Sequence, residues 1–179
     1  EEHKTTAEIY NSMGMVYKAM GQYDKAFEYL LRALEIGEKV LGVNHPSTVQ
    51  FYDNVGAVYK DTGDYVKALE YSQKALDIRN TIFGPDHEEI ASSYNNIGAI
   101  YSKMGDNEKT LECFLKACQI FEQKVGCYND RTAVVYYNLS AVYFEMENYS
   151  KALEYLTKAE AAYTKIYGEE SEIAPMTTW

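Results

Sequence analysis

Apolar and small residues recur three and four positions apart through nearly the whole chain, the spacing that puts side chains on one face of a helix. Tyr52, Val55, Gly56 and Tyr59 form one such stripe. Ala68, Tyr71, Ala75 and Ile78 form a second. Between them Thr62-Gly63-Asp64 interrupts the pattern, and Gly84-Pro85 ends the second stripe. The pattern predicts one helix from about Ser47 to Asp61 and another from about Tyr65 to Phe83. His45-Pro46-Ser47 marks the start, because Pro is tolerated in a first turn and Ser is read as the cap.

The pair repeats at a shift of 42 residues without a gap. Tyr17, Tyr59, Tyr101 and Tyr143 fall in one column, and Tyr10, Tyr52, Tyr94 and Tyr136 in another. Ala33, Ala75, Ala117 and Ala159 align, and Gly42, Gly84, Gly126 and Gly168 close each unit. The first helix breaks at Gly21, Gly63, Gly105 and, in the fourth copy, at Glu147. Mid-helix Gly14, Gly56 and Gly98, with Ser140 in the fourth copy, imply close approach of another helix, since Gly there costs about 1 kcal/mol relative to Ala. The expected facing column is Ala26, Ala68, Thr110 and Ala152. Neither helix buries its stripe alone, so the units must stack on their neighbours. The expected array covers residues 1–168, with units at about 5–42, 47–84, 89–126 and 131–168. Residues 169–179 are read as a tail or as part of a fifth first helix. Glu1 aligns with Val43, inside a connector, so the expectation is a piece of a longer array or protein.

Composition narrows the function. The 179 residues carry 17 Lys and Arg against 27 Asp and Glu, a net charge of −10, which argues against a nucleic-acid surface. The 18 tyrosines look like an aromatic platform, but the repeat columns account for most of them, so they are read as structural. No 18-residue apolar run offers a membrane span. Cys113, Cys118 and Cys127 are read as buried reduced thiols of a cytoplasmic protein. The column His3, His45 and His87 is read as turn or cap packing, because stacked repeats hold these residues too far apart to share a metal. The scattered acidic residues read as solvated helix faces. No nucleophile, base and cofactor motif occurs together, so the expectation is a non-enzyme needing no cofactor and no metal.

Gly56-x-x-Tyr59, Gly63-Asp64-Tyr65, Ala68 and Ala75 resemble the tetratricopeptide repeat. Leu41-Gly42-x-x-His45-Pro46 together with Tyr94-Asn95-Asn96-Ile97-Gly98-Ala99-Ile100-Tyr101 resembles the 42-residue kinesin light chain type. The resemblance implies an all-α, right-handed solenoid of stacked antiparallel helix pairs, with first helices lining a concave groove. On that face lie the columns Asn11, Asp53, Asn95, Tyr137 and Ser12, Asn54, Asn96, Asn138. Met15, Ala57, Ala99 and Ala141 follow a turn later, then Lys18, Lys60, Ser102 and Phe144. Asn presents both a donor and an acceptor, so it can pair with peptide main chain whatever the peptide's side chains. The expected binding set is Asn11, Lys18, Asp53, Asn54, Lys60, Asn95, Asn96, Tyr137 and Asn138, with Lys18 and Lys60 meeting acidic groups and Tyr137, with Phe144 beside the set, an apolar one. The alternatives for Asn are a merely tolerated exposed helix residue, or bonding between adjacent helices. Glu8, Gln50, Asp53 and Ser92 stand where the family's chaperone-tail clamps carry Lys and Arg, which argues against that ligand. The expected function is a scaffold or adaptor whose groove binds an extended segment of a protein partner. A recruiting segment of a larger enzyme or signalling protein, and self-association through exposed end repeats, are the alternatives.

Overall fold

The computed structural model describes residues 3–168; the proposed tail at 169–179 lies outside them. Among the described residues eight α-helices follow in order: α1 (Lys4–Ala19), α2 (Tyr23–Ile36), α3 (Pro46–Asp61), α4 (Tyr65–Phe83), α5 (Glu88–Met104), α6 (Asn107–Lys124), α7 (Asp130–Glu145) and α8 (Tyr149–Tyr167). No strand occurs among the described residues. Each helix packs mainly on its neighbours along the chain, and α1 also touches α3. The result is a linear stack of antiparallel pairs, a solenoid.

Local chemistry sets the helix ends. The first helices begin one residue earlier than the pattern predicts in the second unit, and the cap is His45 rather than Ser47. Its Nδ1 accepts from the Ser47 amide at 3.1 Å, and His3 and His87 cap α1 and α5 in the same way. Asn129 takes that role for α7, accepting from the Arg131 amide at 2.9 Å. Asp64, Asp106 and Asn148 cap α4, α6 and α8. The turns between paired helices need a left-handed residue, supplied by Gly21, Gly63 and Gly105; Glu147 occupies the fourth at φ 58°. In the first unit α2 ends in a π-helical turn, Gly37–Leu41, closed by the Gly42 amide donating to the Gly37 carbonyl.

The tyrosine columns are packing elements. Tyr17 stacks on Tyr29, Tyr59 on Tyr71 and Tyr143 on Tyr155, with ring centroids 5.3, 5.5 and 5.6 Å apart. The third unit has Cys113 in place of the second ring. Lys25, Lys67, Lys109 and Lys151 lie over Tyr17, Tyr59, Tyr101 and Tyr143. Tyr52 and Tyr136 are fully buried and donate their hydroxyls to Glu38 and Glu122 of the preceding unit. Burial and the Glu122 carboxylate push the Tyr136 hydroxyl far up.

The mid-helix glycines admit the second helix, though not only as expected. A Cβ at Gly56 would meet Ser72 Oγ at 3.1 Å and the Ala68 carbonyl at 3.3 Å. At Gly98 it would strike the Phe114 ring at 2.6 Å, and at Gly14 the Leu30 side chain at 2.5 Å. The Ala26, Ala68, Thr110 and Ala152 column is buried, but the bulkier residue one turn later makes the tightest contact at Gly14 and Gly98. Two of the three cysteines, Cys113 and Cys118, are buried free thiols. Cys127 is exposed, because it sits in the connector beyond α6, and this corrects the expectation of a buried thiol.

Candidate functional site

The first helices bring the predicted columns to successive inter-repeat seams. Asn54 Nδ2 donates to Asn11 Oδ1 at 2.7 Å, joining α3 to α1. Asn138 Nδ2 donates to Asn95 Oδ1 at 2.9 Å, joining α7 to α5. Gln50 Nε2 donates to Asn54 Oδ1 at 3.2 Å. The Asn pairs therefore hold adjacent helices together, one of the alternatives that the sequence had left open.

The seam between α3 and α5 breaks this rule. The equivalent pair is residues 53 and 96, but position 53 is Asp, and its partner is Arg79 of α4. Arg79 Nη2 lies 2.6 Å from Asp53 Oδ2, Nη1 donates to Ser93 Oγ at 2.9 Å, and Nε lies 3.4 Å from Glu89. Both charged residues are buried, Arg79 6% and Asp53 8% exposed. Burial outweighs the guanidinium and pushes the Asp53 carboxyl above its usual range. Asp53 Oδ1 is buried with no hydrogen-bond partner. Reading every acidic residue as solvated is thus overturned at Asp53.

The other predicted residues differ in environment. Lys18 is spent on Asp61 of the next unit at 2.6 Å, so it is not free to meet a ligand acid. Lys60 is half-buried, without an ion pair among the described residues. Asn96 is exposed, and it makes no side-chain hydrogen bond among the described residues. Tyr137 is half-buried against the core, and Phe144 is exposed, edge-on to Tyr149.

A cleft of about 390 Å³ opens at the irregular seam. Its walls come from α3 (Gln50, Asp53), α4 (Arg79), α5 (Glu89, Ser92, Asn95, Asn96) and the start of α7 (Asp130, Arg131). Arg131 reaches Glu88 at 3.4 Å and Glu89 at 3.8 Å, and Asp130 accepts from the Tyr167 hydroxyl at 2.7 Å. Sequence reasoning missed Arg79, Glu89 and Arg131. The available signal was the column Gly37, Arg79, Phe121 and Tyr163, in which one charge replaces small or aromatic residues. No group of His, Cys, Asp and Glu suited to a metal occurs among the described residues. None of the described helices is long and apolar enough to cross a membrane.

Comparison with known proteins agrees with this architecture. A family model described as tetratricopeptide repeat matches residues 5–80, 49–123 and 89–165. The chain belongs to the tetratricopeptide repeat family. No curated protein sequence matches it significantly. Among solved structures, this tetratricopeptide array is similar to BtubC (BKLC) from P. vanneervenii, with a TM-score of 0.80, 21% identity, and coverage of 97% of this chain and 69% of that one. A putative kinesin light chain from Podosopora anserina with nearly identical TPR-like repeats gives a TM-score of 0.74 at 20% identity, covering 93% and 79%. Aspartyl phosphate phosphatase F from Bacillus subtilis gives 0.81 at 21% identity, covering 91% of this chain but 41% of that protein. These likenesses establish the fold, and two of the three structures are kinesin light chain-like by their own descriptions. Tetratricopeptide arrays are protein-interaction scaffolds, generally without catalysis, and the fold implies protein partners.

Proposed function

We propose that this array is an adaptor whose first-helix face binds an extended segment of a partner protein. The observation that supports it is the cleft at the α3–α5 seam, which three successive first helices line with polar side chains. Exposed Asn96 and Gln50 offer donors and acceptors to peptide main chain there. Asn11, Asn54, Asn95 and Asn138 fix the helices that carry those groups, and Lys60 lies about two turns beyond Asp53 on α3. The free cysteines fit a reducing compartment, the cytoplasm. Pull-down followed by peptide mapping identifies the partner, and calorimetry then compares the native chain with Gln50→Ala/Asn96→Ala. Loss of two hydrogen bonds weakens binding about tenfold or more. Unchanged affinity with intact helicity would refute the assignment.

A second reading, self-association, rests on α1. Ile9, Val16 and Met20 are more than half exposed. The equivalents of Ile9 and Val16 in α3, Phe51 and Val58, are buried within the stack. Sedimentation that stays monomeric at all concentrations removes this reading.

A further inference from the structure

The ladder of Asn pairs runs between α1 and α3 and between α5 and α7, and it fails at the seam where the cleft lies. There Asp53 has turned to Arg79, and Asn96 is left exposed. The cleft walls carry three carboxylates, Asp53, Glu89 and Asp130, against two guanidiniums, Arg79 and Arg131. Both guanidiniums are already committed: Arg79 to Asp53, Ser93 and Glu89, and Arg131 to Glu88 and Glu89. The unmet need is for a donor. Asp53 is more than nine-tenths buried, its Oδ1 finds no donor in the protein, and an unpaired buried acceptor is costly. Thr48 Oγ1 and Asn107 Oδ1 are also without partners, but neither borders this cleft. At about 390 Å³ the space falls within the range of ligand pockets.

We propose that the cleft is a pocket for one basic side chain, Lys or Arg, of the bound peptide. Its cationic head lodges among Asp53, Glu89 and Asp130, while the Asn96 amide pairs with the adjoining main chain. An acidic or neutral residue at that point would leave the excess carboxylate unmatched, so the pocket selects as well as binds. This assignment rests on the groove reading above and specifies the ligand chemistry at its centre.

The test is a proton–nitrogen NMR titration of the whole chain with N-acetyl-arginine methylamide and N-acetyl-lysine methylamide. The neutral N-acetyl-citrulline methylamide is the control. The proposal expects saturable shifts at the Asn96 and Gln50 side-chain amides and at the Ser92 and Arg131 backbone. At least one cation should bind about tenfold more tightly than citrulline, as charge-assisted hydrogen bonds require. Equal binding of all three, or shifts only elsewhere, overturns it. The comparison of Lys with Arg shows which head group the pocket prefers. Asp53→Asn keeps an acceptor for Arg79 but removes the charge, and should abolish the preference for cations. Should Asp53→Asn disturb the fold, Ser92→Lys provides an independent variant, tethering an ammonium at the cleft wall outside the Arg79 network. Persistent cation binding in Ser92→Lys overturns the proposal. A captured partner whose affinity falls with Asn96→Ala but ignores Ser92→Lys refutes the basic pocket and leaves the groove standing. Cation binding here, with a partner indifferent to Asn96→Ala, supports the pocket and refutes the groove.

Discussion

Replacing Arg79 by Met tests whether the irregular seam is held by its buried charges. Arg79 reaches from α4 to Asp53 on α3 and to Ser93 and Glu89 on α5, so one side chain ties two units together. Met preserves most of the aliphatic volume and removes the guanidinium. Ser93 keeps its bond to the Glu89 carbonyl, so the loss falls mainly on Asp53, whose second oxygen is already unpartnered. Breaking a buried pair from one side costs about 3–5 kcal/mol. The double variant Arg79→Met/Asp53→Leu removes the stranded carboxylate, and should recover most of that loss. The pH dependence has a definite sign. Burial, together with Glu89, raises the Asp53 carboxyl, and Arg79 is the group that lowers it. In Arg79→Met the native carboxyl therefore binds its proton more tightly than the unfolded chain does. Such a group adds stability below its unfolded pKa and loses it as pH rises through the raised native value, so the deficit shrinks on acidification. Urea denaturation, followed by circular dichroism and tyrosine fluorescence at several pH values, measures both effects. Coincidence of the two probes guards against repeat-by-repeat unfolding. A loss below about 1 kcal/mol in the single variant refutes the reasoning. So does a double variant no more stable than the single one.

Two further outcomes follow from local geometry. Glu147 sits at φ 58°, where the equivalent turns hold Gly21, Gly63 and Gly105, so Glu147→Gly should stabilise by about 1 kcal/mol. The corresponding rise in Tm is about 2–4 °C, and an unchanged or lower Tm contradicts the strain argument. Burial pushes the Cys113 thiol up to about 11 and the Cys118 thiol up to about 12, while Cys127 is exposed. At pH 8 a thiol reagent should therefore titrate one group quickly and the other two only on unfolding; three equal rates would exclude the packing described.

The period was legible because each unit repeats the same physical requirements at the same offsets. A turn needs φ above zero, so Gly recurs; a crossing that excludes a Cβ at Gly14 and Gly98 and crowds it at Gly56 favours Gly there, with the small Ser140 in the fourth unit. The His caps were half legible. Histidine is an unusual cap, and the informative member of its column was Asn129, a common one. The site was harder to read, because a column shows where a side chain points but not what it meets. Asn54 and Asn138 share a column with Asn96, yet the first two find Asn partners and the third does not. That difference arises from Asp53, 43 residues before Asn96, and from Arg79 on another helix. Only when departures are paired across columns do Asp53 and Arg79 identify each other: a new carboxylate and a new guanidinium, both placed where the neighbouring units carry uncharged groups.

The broken rung bears on binding as much as on folding. A ladder of identical rungs offers an extended peptide the same hydrogen bonds after it slides by one unit. Such a surface holds the chain in several registers of nearly equal energy, and main-chain contacts alone cannot choose among them. One seam of different charge removes that degeneracy, because only one register places a cationic side chain beside Asp53, Glu89 and Asp130. On the proposed reading, energy and register both centre on the irregular seam: its exposed Asn96 and Gln50 supply the main-chain hydrogen bonds and its carboxylates fix which side chain sits beside them, because the Asn rungs elsewhere bond to each other. Restoring the rung by Asp53→Asn with Arg79→Phe, the residue that the third unit carries in that column, would make the ladder uniform. The Asn introduced at position 53 would draw Asn96 into a rung and remove the carboxylate, so a partner held at this seam should bind more weakly and lose its preference for a basic residue there.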